Sequence, residues 1–130
     1  MQLLDDALKE MDFEFFGNAL HKTTPGELLG TPGAVFLDLR SKVEKQILSF
    51  EMPWIRCLHI PLHELPARWQ EVPKDHPVGL FCSSDNRAAI AFAYLRGRGY
   101  SAVRIISGGS EGLVAELKPG KILKRLVAKD

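Results

Sequence analysis

The chain has 130 residues, of which 45% are hydrophobic and 25% are charged, a composition typical of one globular domain with its own core. The net charge of +1 creates no global field that would favour nucleic acid. No apolar run approaches the roughly 20 residues that a membrane span requires. We therefore expect neither nucleic acid nor a membrane as a partner.

The first twenty residues predict an acidic helical extension. Apolar side chains recur at helical spacing over residues 2–11, and an aromatic group follows at positions 13, 15 and 16. We interpret that group as the point where the extension docks on the body of the protein. The acidic start lacks the basic and apolar regions of a secretion signal, so we expect a cytoplasmic protein with reduced thiols.

From residue 24 onwards, strands and helices are predicted to alternate. Thr24, Pro25 and Glu27 form the pattern of a capped helix start. Short apolar runs predict strands, and helical spacing predicts the segments between them. The predicted strands are 34–39, 55–60, 78–81 and 102–106, and the predicted helices are 41–48, 62–72, 87–96 and 110–117. This alternation predicts an α/β domain with a largely parallel central sheet and helices on both faces.

The end of the chain is predicted to be a basic amphipathic tail, set off by a break at Pro119-Gly120. Residues 118–130 contain five basic residues and one aspartate, whereas residues 1–20 contain five acidic residues and one lysine. These charges have two interpretations, which the sequence leaves open. The segments are separately solvated, or the two ends pair with each other or with a partner.

The most informative segment lies where a cysteine follows the buried run 78–81. Ligands of open α/β sheets bind beyond the carboxyl ends of strands, where loop amides and a helix N-terminus attract anions. Such a loop would stabilise a thiolate, or a terminal sulfur in a Cys–S–S⁻ group. The loop residues with candidate roles are Cys82, Ser83, Ser84, Asp85, Asn86 and Arg87. The alternative for Cys82 is an inert, buried core thiol.

Four segments in the same order and spacing resemble the rhodanese superfamily. They are Phe36-Leu-Asp38-Leu-Arg40, His59-Ile-Pro-Leu-His-Glu-Leu65, Leu80-Phe-Cys82 with Arg87, and Gly99-Tyr-Ser-Ala-Val103 with Gly108-Gly109. The resemblance implies a rhodanese-like three-layer fold around a mainly parallel five-stranded sheet. It covers a domain over residues 21–117, with an N-terminal helical extension at 1–20 and the basic tail at 118–130.

The resemblance also implies a single-domain sulfurtransferase or persulfide carrier. Cys82 would take sulfane sulfur from thiosulfate, polysulfide or a persulfidated protein and pass it to a small thiol or a thiol protein. The residues from 83 to 87, together with Arg40, would bind the substrate. No cofactor is implied. No metal is expected either, because the two cysteines and four histidines lack zinc-ligand spacing.

Two other functions remain open at this stage. Asp85 stands where many family members have glycine, and a carboxylate beside an anionic donor is repulsive unless it points outward, for example toward Arg87. This favours weak thiosulfate activity, or a non-catalytic rhodanese-like interaction module. A phosphatase or arsenate reductase is the third possibility, although the related phosphatases have one more residue than the six from Cys82 to Arg87.

Sulfur transfer through Cys82 requires two features of the folded structure. The Cys82 side chain should be accessible, and the loop amides should point toward it. Asp38 is expected to hold backbone near the site rather than to react. Cys57 lies inside a predicted strand, which favours a packed core thiol over a second reactive cysteine, and His59 has only a minor claim to a role near the site.

Overall fold

A computed structural model describes residues 2–50 and 52–129. The helices are α1 (Gln2–Glu10), α2 (Phe13–Gly17), α3 (Pro25–Leu29), α4 (Lys42–Ile47), α5 (Leu65–Arg68), α6 (Asn86–Gly97), α7 (Gly109–Glu116) and α8 (Pro119–Lys129). The strands are β1 (Lys22–Thr23), β2 (Val35–Asp38), β3 (Arg56–His59), β4 (Val78–Phe81) and β5 (Val103–Ile106). Single 3₁₀ turns at Leu62–Glu64 and Trp69–Glu71 flank α5.

The five strands form one sheet in the order β1-β5-β4-β2-β3, and every pairing is parallel. This confirms the predicted α/β class and the parallel sheet. The four strands predicted from apolar runs are present. One has the predicted length, and the other three are one or two residues shorter than predicted. The fifth strand, β1, was not indicated by any apolar run because it contains only a lysine and a threonine.

Helices cover both faces of the sheet and create two hydrophobic cores. Alternate residues of a strand point to opposite faces, so Val35 and Leu37 belong to one core while Phe36 belongs to the other. The first core also contains the buried face of α6, and the second contains residues of α3 and α7. The molecule therefore has the expected three layers, with the sheet in the middle.

Local sequence signals account for several helix starts. Thr24 and Glu27 form the predicted reciprocal capping box of α3, and Ser41 and Glu44 form a second one at α4. Pro119, predicted as a breaker, instead occupies the first position of α8, where its missing N–H is tolerated.

The predicted helix over 62–72 is wrong as a continuous element. The backbone leaves helical geometry at Arg68, where φ is −129°. The Tyr100 hydroxyl donates to the carbonyl oxygens of Trp69 and Val72, at 2.9 and 2.7 Å. A tertiary hydrogen bond thus takes the place of helical partners at the end of this segment.

Each terminal helix is tied to the body by an ion pair. Glu10 of α1 lies 2.9 Å from Arg96 of α6, and Glu116 of α7 lies 2.6 Å from Arg125 of α8. Among the described residues, no ion pair joins α1 to α8, which favours the interpretation that the oppositely charged ends are separate. Within the described ranges, no helix is both long and apolar enough to cross a bilayer.

Gly79 provides a test of packing in the central strand. A Cβ at this position would overlap the terminal carbons of the buried Leu28 side chain. We expect Gly79→Ala to lower the free energy of unfolding by about 1–3 kcal/mol, because Leu28 must leave its rotamer. Urea denaturation followed by circular dichroism measures this change.

Gly120→Ala is the matched control, because an added Cβ there meets no atom within 4 Å. It should leave the stability unchanged or raise it by at most about 1 kcal/mol, the helix-propensity difference between glycine and alanine in a helix interior, because Gly120 lies in the first turn of α8. Equal losses of stability in both variants would contradict the packing of Leu28 against β4.

Candidate functional site

Cys82 directly follows the central strand β4, whose neighbours end at the same edge. Asp38 at the end of β2 is in register with Phe81, and the Leu39 N–H donates to the Phe81 carbonyl oxygen at 2.8 Å. Because all strands are parallel, the segments that follow β2, β4 and β5 meet at this edge. The residues predicted from three separate parts of the sequence are thereby brought to one side of the sheet.

The Cys82 side chain is completely buried, with 0% of its surface exposed. The prediction that it is accessible is therefore wrong for this conformation. Its sulfur accepts a hydrogen bond from the backbone N–H of Ala88, at 3.3 Å, in the first turn of α6. An N–H group at the start of a twelve-residue helix stabilises negative charge on an acceptor. The predicted ring of loop amides is wrong, because among the described residues no N–H of the 83–87 loop donates to the sulfur.

Asp85 gives the loop its sharp turn. Its backbone is left-handed, with φ of 69°, a conformation that aspartate tolerates better than most residues. Its Oδ1 atom is buried and has no hydrogen-bond partner among the described residues. The suggested contact between Asp85 and Arg87 is wrong, because Arg87 pairs with a different carboxylate.

That carboxylate is Glu44 of α4, which the sequence interpretation missed. Arg87 Nη1 and Nη2 donate to its two oxygens at 2.6 and 2.8 Å, and Nη2 also donates to the Ser83 hydroxyl at 3.0 Å. The hydrogen bonds from Arg87 and from the Ser41 backbone hold the pKa of Glu44 far below its usual range. The same pairing raises the pKa of Arg87. The capping box of α4, which begins directly after Arg40, was the one available signal.

Arg40 does not lie on the open side of the loop. It is 3% exposed, and its guanidinium donates to both carboxylate oxygens of Asp38, at distances from 2.8 to 3.2 Å. Phe50 and Phe81 cover its faces, with ring centroids 5.0 and 5.3 Å away. This geometry does not support the prediction that Arg40 binds substrate, because the side chain is buried, Asp38 holds its Nε and Nη2 atoms, and aromatic rings cover its faces.

Asp38 and His59 hold the backbone around Arg40. Asp38 Oδ1 accepts from the Arg40 N–H at 3.0 Å, as the expected positioning role requires. His59 Nε2 lies 2.7 Å from the Arg40 carbonyl oxygen. Both side chains therefore fix the turn that leads from β2 into α4 and Glu44.

The double glycine packs closely against the backbone of the Cys82 loop. Gly108 and Gly109 both have positive φ, at 91° and 56°. A Cβ on Gly109 would lie 2.5 Å from the Ser83 carbonyl oxygen. Only glycine permits this backbone conformation and this close approach at the same time.

The remaining residues predicted for the site differ in how far they are exposed. Ser83, Ser84 and Asn86 are exposed, and Arg87 is half-buried. Cys57 is also exposed, so the prediction of a packed core thiol is wrong. The reason is topological: β3 is an edge strand of the sheet. In the described part of the chain, no group of three metal-ligating side chains is present.

Fold and loop together define an α/β domain that presents one cysteine to a helix N-terminus at the end of its central parallel strand. The sequence model of the rhodanese-like domain family matches residues 26–116. The chain belongs to this family. The earlier resemblance is thus confirmed, and the match supports a sulfurtransferase-type role.

Individual relatives agree with this assignment. A protein named sulfurtransferase from Allochromatium vinosum is 35% identical over 82 residues, which cover 63% of this chain and 73% of that protein. A rhodanese-related protein from Thermoplasma volcanium superposes with a TM-score of 0.63 at 22% identity, covering 76% of this chain and 95% of that one. An NAD-dependent persulfide reductase from A. fulgidus gives a TM-score of 0.57 at 26% identity, but the match covers 72% of this chain and 16% of the reductase.

The buried Asp38–Arg40 pair should be important for stability. In Asp38→Asn, the Arg40 guanidinium stays buried without an opposite charge, so we expect the free energy of unfolding to fall by about 3–5 kcal/mol. Urea denaturation at neutral pH measures the loss. Glu71→Gln removes an exposed partner of Arg68 and should leave stability unchanged within error. A loss in Asp38→Asn no larger than in this control would contradict the importance of the buried pair.

Gly109 should control how tightly the loop closes over Cys82. In Gly109→Ala, the new Cβ must displace the Ser83 carbonyl, so we expect iodoacetamide to alkylate Cys82 several-fold faster. Mass mapping of the modified peptides follows the reaction at each cysteine separately.

The control for strain alone is Gly99→Ala. Gly99 also has positive φ, at 91°, but an added Cβ would approach only the flexible end of Lys74. Alkylation of Cys82 at the same rate in both variants would mean that the double glycine does not hold the loop closed.

Proposed function

We propose that this chain is a rhodanese-type sulfurtransferase or persulfide carrier that holds sulfane sulfur on Cys82. The observation that carries the proposal is the hydrogen bond from the Ala88 N–H to the Cys82 sulfur at the start of α6. An amide and a helix N-terminus aimed at a sulfur atom favour its anionic form, whether thiolate or persulfide.

The proposed reaction proceeds in two displacements. The Cys82 thiolate attacks the sulfane sulfur of the donor; a new S–S bond forms, and the donor's own bond to that sulfur breaks, with its electron pair leaving on the donor residue. The Cys82 persulfide is the covalent intermediate. A thiolate acceptor then attacks the terminal sulfur and releases the Cys82 thiolate, so neither an oxidant nor a metal is consumed.

Access to Cys82 requires part of its cover to move. The Arg87–Glu44 pair joins α6 to α4, and Ser83 contacts the same guanidinium. Since the Ser83 backbone also lies against Gly109, we propose that displacement of this short segment admits the donor to the sulfur. Ser83, Ser84 and Asn86 can then offer hydroxyl and amide donors to the incoming group.

The proposed partners are a small or protein-bound sulfane-sulfur donor and a thiol acceptor, in a cytoplasmic setting. The persulfide reductase among the structural relatives supports persulfides as chemically suitable partners. Thiosulfate and polysulfide remain proposed donors of the same chemical class.

Intact-mass spectrometry tests the proposal. Incubation with polysulfide or a thiosulfonate should add the mass of one sulfur atom to the chain, and dithiothreitol or cyanide should remove it. Cys82→Ser should abolish the adduct, because no other side chain in the described loop can carry a persulfide.

Cys57→Ser is the matched control, since Cys57 is the other cysteine of the chain and is exposed. This variant should retain the full adduct. If the adduct vanishes with Cys57 and persists in Cys82→Ser, the site has been placed on the wrong cysteine.

A second function, a non-catalytic interaction module, is favoured by one specific observation: Cys82 has no exposed surface. The same mass experiment separates the two functions. A chain that forms no adduct with polysulfide, thiosulfate, a thiosulfonate or a small persulfide, while remaining folded, would support the module instead.

A further inference from the structure

We infer that Glu44 and Asp85 select the sulfur donor by charge, so that Cys82 takes sulfur from monoanionic donors with an uncharged, apolar body in preference to dianions such as thiosulfate. This inference rests on the proposed function and deepens it by specifying the donor class. Glu44 and Asp85 act here as specificity-determining residues rather than as reacting groups.

The first observation is that the loop's arginine is already occupied. Both terminal nitrogens of Arg87 donate to Glu44, in a bidentate contact of 2.6 and 2.8 Å. A donor anion that reaches the remaining N–H groups of this guanidinium meets an arginine whose charge is already paired with a fixed carboxylate. Because Arg87 and Ser41 hold the pKa of Glu44 far below its usual range, that carboxylate remains charged throughout the neutral range.

The second observation is an additional carboxylate without a compensating partner. Asp85 Oδ1 is buried beside the start of α6 and accepts no hydrogen bond in the described part of the chain. The positive charge of Arg87 and the negative charge of Glu44 offset each other. The Asp85 carboxylate therefore gives the loop one net negative charge. Asp38 also acts on Arg87, but its own partner Arg40 balances it.

The third observation is that α4, the helix that carries Glu44, exposes apolar side chains. Ile47, one turn further along α4, is 80% exposed, and Val43 and Leu48 on the same segment are also exposed. Residues three apart on a helix share a face, so Ile47 lies on the side of Glu44. We place the body of the donor along this side of α4, where exposed hydrocarbon would suit an apolar group better than a second anionic oxygen.

Two sulfane-sulfur donors of similar shape differ in their net charge and can therefore test this inference. Thiosulfate and methanethiosulfonate differ by the replacement of one anionic oxygen with a methyl group. In both, the Cys82 thiolate attacks the terminal sulfur and the S–S bond to the sulfonyl sulfur breaks. The electron pair leaves with sulfite in the first case and with methanesulfinate in the second, so the chemistry is otherwise the same.

The experiment measures the second-order rate constant for persulfide formation on the full chain with each donor, by quenched intact-mass analysis. The ratio of methanethiosulfonate to thiosulfate is divided by the same ratio for free cysteine, which removes the donors' intrinsic reactivity. We expect a normalised ratio of about ten or more, as one extra charge at contact range in a partly screened site allows. We expect Glu44→Gln and Asp85→Asn each to reduce it by about threefold to tenfold.

Both substitutions keep the local shape, since glutamine can still accept from Arg87 and asparagine tolerates the left-handed backbone. Glu71→Gln is the control for net charge; it removes one negative charge from an ion pair with Arg68 and should leave the ratio unchanged. A rate that fell equally for both donors would be a structural effect and would not alter the ratio.

The outcomes are distinguishable. A normalised ratio near one, or a ratio that neither Glu44→Gln nor Asp85→Asn changes, would overturn the charge selection while leaving sulfur transfer intact. Loading from polysulfide but from neither sulfonyl donor would also overturn it. Loading from no donor at all would refute the proposed function, and the inference with it.

Discussion

The parallel pairing of β2, β4 and β5 is the constraint on which the site depends. It forces the segments after these strands to leave the sheet at one edge, and β4 lies at the centre of the order. Each following segment contributes one part: β2 leads to the Asp38–Arg40 turn, β4 to the cysteine loop and β5 to the double glycine. A single antiparallel strand among the three would carry its segment to the opposite edge.

The contacts around the loop show two opposing tendencies. The Ala88 N–H donates to the Cys82 sulfur, whereas Glu44 and Asp85 place two carboxylates near the same loop, which we propose act against further negative charge. The proposed donor selection depends on this combination of one amide contact to the sulfur and two carboxylates in the surrounding loop region.

Much of the fold could be predicted from the sequence because its strands are buried on both faces. β2 and β4 are buried at every residue and are apolar except for Asp38, and such patterns have few alternatives. The Cys82 loop was predicted because its unusual residues are contiguous. β1 was not, because two residues hydrogen-bonded to β5 leave no periodic signal.

The parts of the site that were not predicted depend on contacts distant in sequence. Glu44 meets Arg87 across 43 positions, and neither residue's neighbours indicate the other. Cys57 was expected in the core because a short apolar strand does not reveal whether it lies at the centre or the edge of a sheet. Burial of Cys82 likewise depends on tertiary packing, because its side chain belongs to the core that contains Leu39, Ile60 and Ala88.

The borders of the sheet have a consequence for association between molecules. An unpaired strand edge is a template on which another chain can extend the sheet, and long, flat edges carry the greatest risk of aggregation. Here one border is only two residues long, and the other has four residues and begins with the exposed, charged Arg56. Edge strands this short offer few unpaired backbone groups to an incoming strand. The tendency of the molecule to aggregate at high concentration is therefore low.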